Sequence, residues 1–199
     1  MIIGGPGCLE MRCLEDLLRG FYRRASFDAR IEPPAIVKLL KVLRLVPSQA
    51  NLQPWEIVVV DDDRVKERVF EAALDPLLRE NGELKPAWIK RAPVLLVVCA
   101  DVDRVTRRYG SRGREFALQD AFAAALMVVL KALELGYMPG IVREFDVNRL
   151  REAVNAPESL EPVAIIALGT PGGEIEIAKP SLDVEDFVHY NAWGRELWT

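Results

Sequence analysis

Histidine is nearly absent: His189 is the only one in 199 residues, and cysteine is limited to Cys8, Cys13 and Cys99. A single imidazole and three scattered thiols do not make a metal centre, so no metal is expected. An odd cysteine count reads as free thiols, with Cys99 a small buried hydrophobe in an apolar strand. Long apolar runs are also missing. The longest, residues 121–130, is ten residues and stops at Lys131, too short to span a bilayer. The start, Met1-Ile2-Ile3-Gly4-Gly5-Pro6, has no basic segment ahead of an apolar one, so it does not read as a signal peptide. A cytoplasmic protein without a membrane partner is expected. Excess positive charge is lacking, the net charge being −4, which argues against a nucleic-acid partner. There is no Gly-x-Gly-x-x-Gly after a strand. Gly4-Gly5-Pro6-Gly7 has no following Lys-Ser/Thr, so it is not a phosphate loop of the Walker type.

What is present is half hydrophobic and 28% charged, the composition of a globular chain. We expect one domain, 1–199, with 1–8 a loose leader and 178–199 a C-terminal arm. Helical spacing runs over 9–24, from Pro34 through Leu43, and from Val65 to Ala73 behind the capping run Asp61-Asp62-Asp63. Strands are expected at 56–61, 93–100 and 162–168, the last two as continuous apolar runs. Residues 103–113, with four arginines and two glycines, read as a charged loop. A helix over 114–135, apolar almost all round from Phe122 to Leu133, belongs in a core or an interface. Residues 137–145 read as a loop or short strand, and short helices are expected at 147–154 and 184–188.

One stretch carries most of the functional information: Pro47-Ser48-Gln49-Ala50-Asn51-Leu52-Gln53-Pro54-Trp55. It lies between a helix and a pure β run. Asn and Gln each set a carbonyl acceptor beside an amide donor, an edge that suits a flat heterocycle with alternating N–H and C=O groups. The prolines stiffen the loop. Read without a ligand, Ser-x-x-Asn is an ordinary turn composition and Trp55 is core.

This stretch resembles the "APSxxNxQPW" loop of the FMN-dependent nitroreductases, with Val46 in place of the leading alanine. The resemblance extends over roughly residues 18–195. It implies an α+β nitroreductase-like fold with a central, mainly antiparallel sheet flanked by helices. It further implies an intertwined homodimer whose C-terminal extension, ending His189-Tyr190 and Trp193-Gly194, wraps the partner and adds a strand to its sheet. The implied cofactor is FMN, bound at the subunit interface, with NAD(P)H as co-substrate. The implied activity is ping-pong hydride transfer through flavin N5 to a nitroaromatic, quinone or similar acceptor. Specialised activities of the same fold (dehalogenation, flavin fragmentation, azoline oxidation) and flavin binding without turnover are the alternatives.

The same resemblance assigns the site. Pro47, Ser48, Asn51 and Gln53 read the flavin. Arg23 and Arg24 hold its phosphate, as guanidiniums that keep their charge and bind bidentately. Ser26 stands one place beyond the family's serine, and the family's second arginine is missing. Lys179 supplies a further cation, with Ser181 where an arginine is usual. Pro139 and Gly140 belong to a glycine turn whose backbone approaches N5, with Gly140 N–H assisting; no side chain is assigned a catalytic role. Asp120, in Gln119-Asp120, reads as a satisfied carboxylate in helix packing. The cluster Arg107, Arg108, Arg112 and Arg114 reads as a solvated loop, with a phosphate-facing patch as the other possibility.

Overall fold

Two β runs, 94–100 and 162–168, are apolar at every position because both their faces are covered. In the computed structural model, which describes residues 14–21, 23–27, 30–73, 87–176 and 181–196, these runs lie within β3 (Val94–Asp101) and β5 (Leu160–Gly169). They pair antiparallel as the two central strands of a four-stranded sheet, flanked by β2 (Trp55–Val60) and β4 (Met138–Val142) in the order β2-β3-β5-β4. Side chains alternate across a strand. Val94, Leu96, Val98 and Ala100 of β3 therefore join Ala164, Ile166 and Leu168 of β5 on one face, against α5 (Gly113–Glu134) and α2 (Pro33–Leu40). Leu95, Val97 and Cys99 join Ile165 and Ala167 on the other face, under α3 (Asp63–Ala72) and α6 (Val147–Ala153).

The helix starts follow side-chain chemistry. The Asp62 carboxylate accepts Arg64 N–H and Val65 N–H at 2.9 and 3.0 Å, and Asp146 does the same for Asn148 and Arg149 at α6. Each satisfies donors that the first turn leaves unpaired. The second helix is α only to Leu40 and continues as a 3-10 turn, Lys41–Leu45, before the 47–55 stretch.

Residues 103–113 are not the loop that their charge suggests. They form α4 (Val102–Tyr109) followed by a 3-10 turn, Gly110–Arg112. The Asp101 side chain caps α4 through Arg104 N–H at 3.0 Å. Its inward edge is Val102, Val105, Thr106 and Tyr109, one helical face. α4 crosses α5 very closely: a Cβ on Gly113 would lie 2.5 Å from Thr106 Cα. Only glycine permits that approach.

The expected helix over 9–24 ends at Phe21 as α1 (Leu14–Phe21). Arg23 opens β1 (Arg23–Phe27), which pairs antiparallel with β6 (Pro171–Glu176), opposing Arg23 to Glu176 and Ser26 to Gly172. This small sheet lies against β4 and β5. The expected leader, Cys8, Cys13 and Lys179 lie outside the described residues. In 181–196, which holds α7 (Val184–Phe187), every residue but Val188 is exposed. Trp193 is 90% exposed, with its ring edge-on to His189 at 5.6 Å.

Candidate functional site

Residues 47–55 fold into a strained, heavily anchored loop. Gln49–Asn51 make one 3-10 turn. Ala50, Asn51 and Gln53 all have positive φ, at 50°, 56° and 47°. Left-handed backbone costs a non-glycine residue roughly 1–2 kcal/mol, least for Asn. Three such residues within four positions persist only where the surroundings over-determine them.

The anchors are visible. Inside the loop, Ser48 Oγ accepts Gln53 N–H at 2.9 Å, and Asn51 Oδ1 accepts from Gln53 Nε2 at 3.0 Å. From α5, the Asp120 carboxylate accepts Gln49 N–H at 2.8 Å. Asp120 thus holds the loop and does not merely satisfy a helix contact. From α4, Tyr109 OH accepts from Gln49 Nε2 at 3.2 Å. Also from α4, Arg104 Nη1 donates to the Gln53 carbonyl at 2.6 Å. Its Nη2 pairs with Glu56 and, at 3.0 Å, with Asp101. Asp101 N–H in turn donates to the Pro54 carbonyl at 2.7 Å. Sequence reasoning missed Arg104 and Tyr109 because it took their helix for a loop. The signal was there: an Asp cap followed by apolar positions at 102, 105 and 109.

These bonds decide which polar groups stay free. Ser48 keeps its O–H donor, Asn51 its NH₂ donors and Gln53 its Oε1 acceptor. Ser48 and Gln53 are half-buried and Asn51 is exposed. The free edge therefore reads donor, donor and acceptor in a stiff frame. It fits the carbonyl and N–H edge of a flavin pyrimidine ring, the group implied for this loop.

A profile of the nitroreductase family matches residues 23–170. The chain belongs to the nitroreductase family. Among its relatives, a curated Archaeoglobus fulgidus protein, whose name pairs NADH dehydrogenase with NAD(P)H nitroreductase, is 29% identical over 193 residues. That match covers 93% of this chain and all of the relative. A Staphylococcus aureus NADPH-dependent oxidoreductase is 29% identical over 169 residues, covering 82% of this chain and 67% of its own length. Two solved structures share the fold. A Streptococcus pneumoniae nitroreductase-family protein has TM-score 0.71 at 18% identity, covering 90% of this chain and 100% of that one. A Clostridium difficile FMN-dependent nitroreductase has TM-score 0.67 at 23% identity, covering 88% and 99%. The chain is thus an oxidoreductase of the nitroreductase family. Its α5 has the length and apolarity of a membrane span, but it is the helix on which the sheet of this nitroreductase domain packs.

The other assigned residues of this nitroreductase lie elsewhere. Pro139 and Gly140 are not in a turn: they lie in edge strand β4, opposite Leu168 and Ala167. Proline is tolerated on an edge strand, and glycine inside a strand marks a place where another group comes close. Arg23, Arg24 and Ser26 are on β1, beside β4. The 47–55 loop instead enters β2, whose Trp55 is level with Ala100 of β3 and Glu161 of β5. Loop and β4 are thus at opposite edges and opposite ends of the sheet. The separation is ~14 Å across the strands and ~24 Å along them, at about 4.8 Å per strand and 3.4 Å per residue. One chain does not bring the 47–55 loop and the β1–β4 corner together.

Proposed function

We propose that this nitroreductase is a homodimer in which the 47–55 loop of one protomer and the β1–β4 corner of the other close around one FMN. We propose further that it passes a hydride from NAD(P)H, by way of that flavin, to a nitroaromatic, quinone or similar acceptor in two successive half-reactions. The observation that carries the reading is the free Ser48, Asn51 and Gln53 edge, clamped in a loop that stands far from Arg23, Arg24 and Gly140. A two-fold operator brings the halves together twice, giving two equal sites. Apolar surface for such a contact is present. Ala123 and Leu126 of α5 are exposed beside half-buried Phe122, Met127 and Leu130, and Leu182, Val184, Phe187 and Trp193 of the arm are exposed.

The residues have distinct tasks. Ser48 and Asn51 donate to ring carbonyls and Gln53 accepts a ring N–H. Asn51 also tolerates its left-handed backbone where most residues would strain. Arg23, Arg24 and Lys179 supply positive charge for the phosphate. Gly140 has no side chain to block close approach to the ring, and a main-chain N–H there stabilises charge that develops on reduction. The positive φ at Asn51 makes leucine a poor probe, since it would strain the loop as well as remove the amide. Asn51→Asp keeps the backbone preference and sets a carboxylate against a ring carbonyl.

The test is spectroscopic. The purified protein is reconstituted with FMN, sized by light scattering and mixed anaerobically with NADH or NADPH. A yellow dimer that bleaches and then recovers colour on adding a quinone supports the reading. A folded protein that takes up no FMN overturns it, as does unchanged FMN affinity in Asn51→Asp.

A further inference from the structure

The arginine cluster after β3 has a structure that its sequence did not suggest. Tyr109 at the end of α4 and Phe116 on α5 meet edge to face at 5.4 Å. Arg108 lies over the Tyr109 ring at 5.7 Å and Arg112 over the Phe116 ring at 5.2 Å. Two guanidiniums are thus set on two joined rings. A cation held by a ring face keeps its N–H edges free for a phosphate. Among the described residues, Arg108 and Arg112 have no carboxylate partner, whereas their neighbours Arg104 and Arg114 are tied to Glu56 and Asp101 and to Glu161.

Helix-end electrostatics account for only part of this. Arg107 and Arg108 complement the C-terminal end of α4. Arg112 stands at the N-cap of α5, where the dipole favours an acid over a base. The patch also adjoins the site: Tyr109 OH is bonded to Gln49 in the 47–55 loop. On a chain of net charge −4, a positive patch touching that loop is a place for an anionic substrate.

We propose that Arg108 and Arg112, on the Tyr109–Phe116 platform, bind the adenosine 2′-phosphate of NADPH, so that this enzyme prefers NADPH to NADH. A phosphate monoester is close to a dianion at neutral pH and accepts bidentate guanidinium bonds. The inference rests on the NAD(P)H oxidoreductase reading.

The test separates the two. Flavin-loaded wild-type enzyme is titrated by calorimetry with adenosine 2′,5′-bisphosphate and with adenosine 5′-monophosphate. The bisphosphate binds at least tenfold more tightly, and Arg108→Gln/Arg112→Gln removes the difference. In steady state, the ratio of kcat/KM for NADPH to that for NADH falls at least tenfold in the same variant. Equal binding of the two nucleotides to wild type overturns the inference. An unchanged coenzyme ratio overturns it too, including the case where both coenzymes weaken equally because the arginines hold the pyrophosphate they share. If neither coenzyme reduces the flavin, the oxidoreductase reading fails, while the nucleotide titration still decides the phosphate site.

Discussion

Replacing Arg104 with Met should loosen the 47–55 loop without unfolding the protein. The side chain is 36% exposed, so its two ion pairs are screened and each contributes about 0.2–1 kcal/mol. The bond from Nη1 to the Gln53 carbonyl, at 2.6 Å, is charge-assisted and contributes on the order of 1.5 kcal/mol, the low end for a bond to a charged group. Met keeps the aliphatic stem and its packing. The sum is about 2–3.5 kcal/mol, or roughly 4–14 °C in melting temperature for a chain of this size. Gln53 is one of the three left-handed residues in the loop, so releasing its carbonyl lets the loop relax from its strained form. FMN affinity then falls with the population of the competent loop, on the order of tenfold if 1.4 kcal/mol of the loss is local. The assay is paired: apoprotein melting by circular dichroism and FMN affinity by flavin fluorescence, for Arg104→Met and Arg104→Lys. Lys keeps a charge but loses the fork that reaches Gln53, Glu56 and Asp101 together, so it should recover only part of the affinity. A lower melting temperature with unchanged FMN affinity would refute the argument, leaving Arg104 as a simple tie between α4 and β2.

Gly113→Ala places a methyl 2.5 Å from Thr106 Cα and should destabilise by roughly 1–3 kcal/mol, read as a shifted urea midpoint; an unshifted midpoint would mean α4 can lift off α5 freely. Burial pushes the Cys99 thiol up to about 12 from 9.0. Below the lower value the thiol is protonated in both states and stability is unaffected. Between the two, only the unfolded chain loses the proton, so stability should fall by up to about 1.4 kcal/mol per pH unit. Cys99→Ala should lack this slope, and in a Cys8→Ser/Cys13→Ser background Cys99 should resist a thiol reagent at pH 8. Arg24→Ala should weaken FMN by on the order of 1.5–3 kcal/mol and riboflavin, which lacks the phosphate, by less. Co-expressed with Asn51→Asp, it should regain one good site per mixed dimer; no recovery would show that loop and corner are not supplied to one site by opposite protomers.

The sheet was legible because its signal is local. Residues 94–100 and 162–168 are apolar at every position, and no other element type fits runs of that length ending at a cap or at Gly169. Residues 138–142 stayed ambiguous because an edge strand holding Pro139 and Gly140 has the composition of a turn. α4 was hidden by charge: its inward face is only Val102, Val105, Thr106 and Tyr109, beneath three arginines. The candidate site was legible in the free groups of its loop, Ser48, Asn51 and Gln53, which one motif supplies. It was not legible in its anchors. Arg104, Tyr109 and Asp120 reach the loop from 51, 60 and 71 residues away, and no local pattern records such pairings. The pairing of β1 with β6 is hidden for the same reason.

The two edges of the main sheet are guarded unequally. β4 carries Pro139, which lacks an N–H and discourages further pairing. β2 carries Ile57-Val58-Val59-Val60, with no proline and no charge among them, and Val59 is 42% exposed. Such an edge is a template for another strand. Unless a partner's arm occupies it, nascent chains compete to fill it with one another. Expression at high concentration should therefore favour aggregates built edge to edge through β2, and a lysine at Val59 would act as a gatekeeper against them.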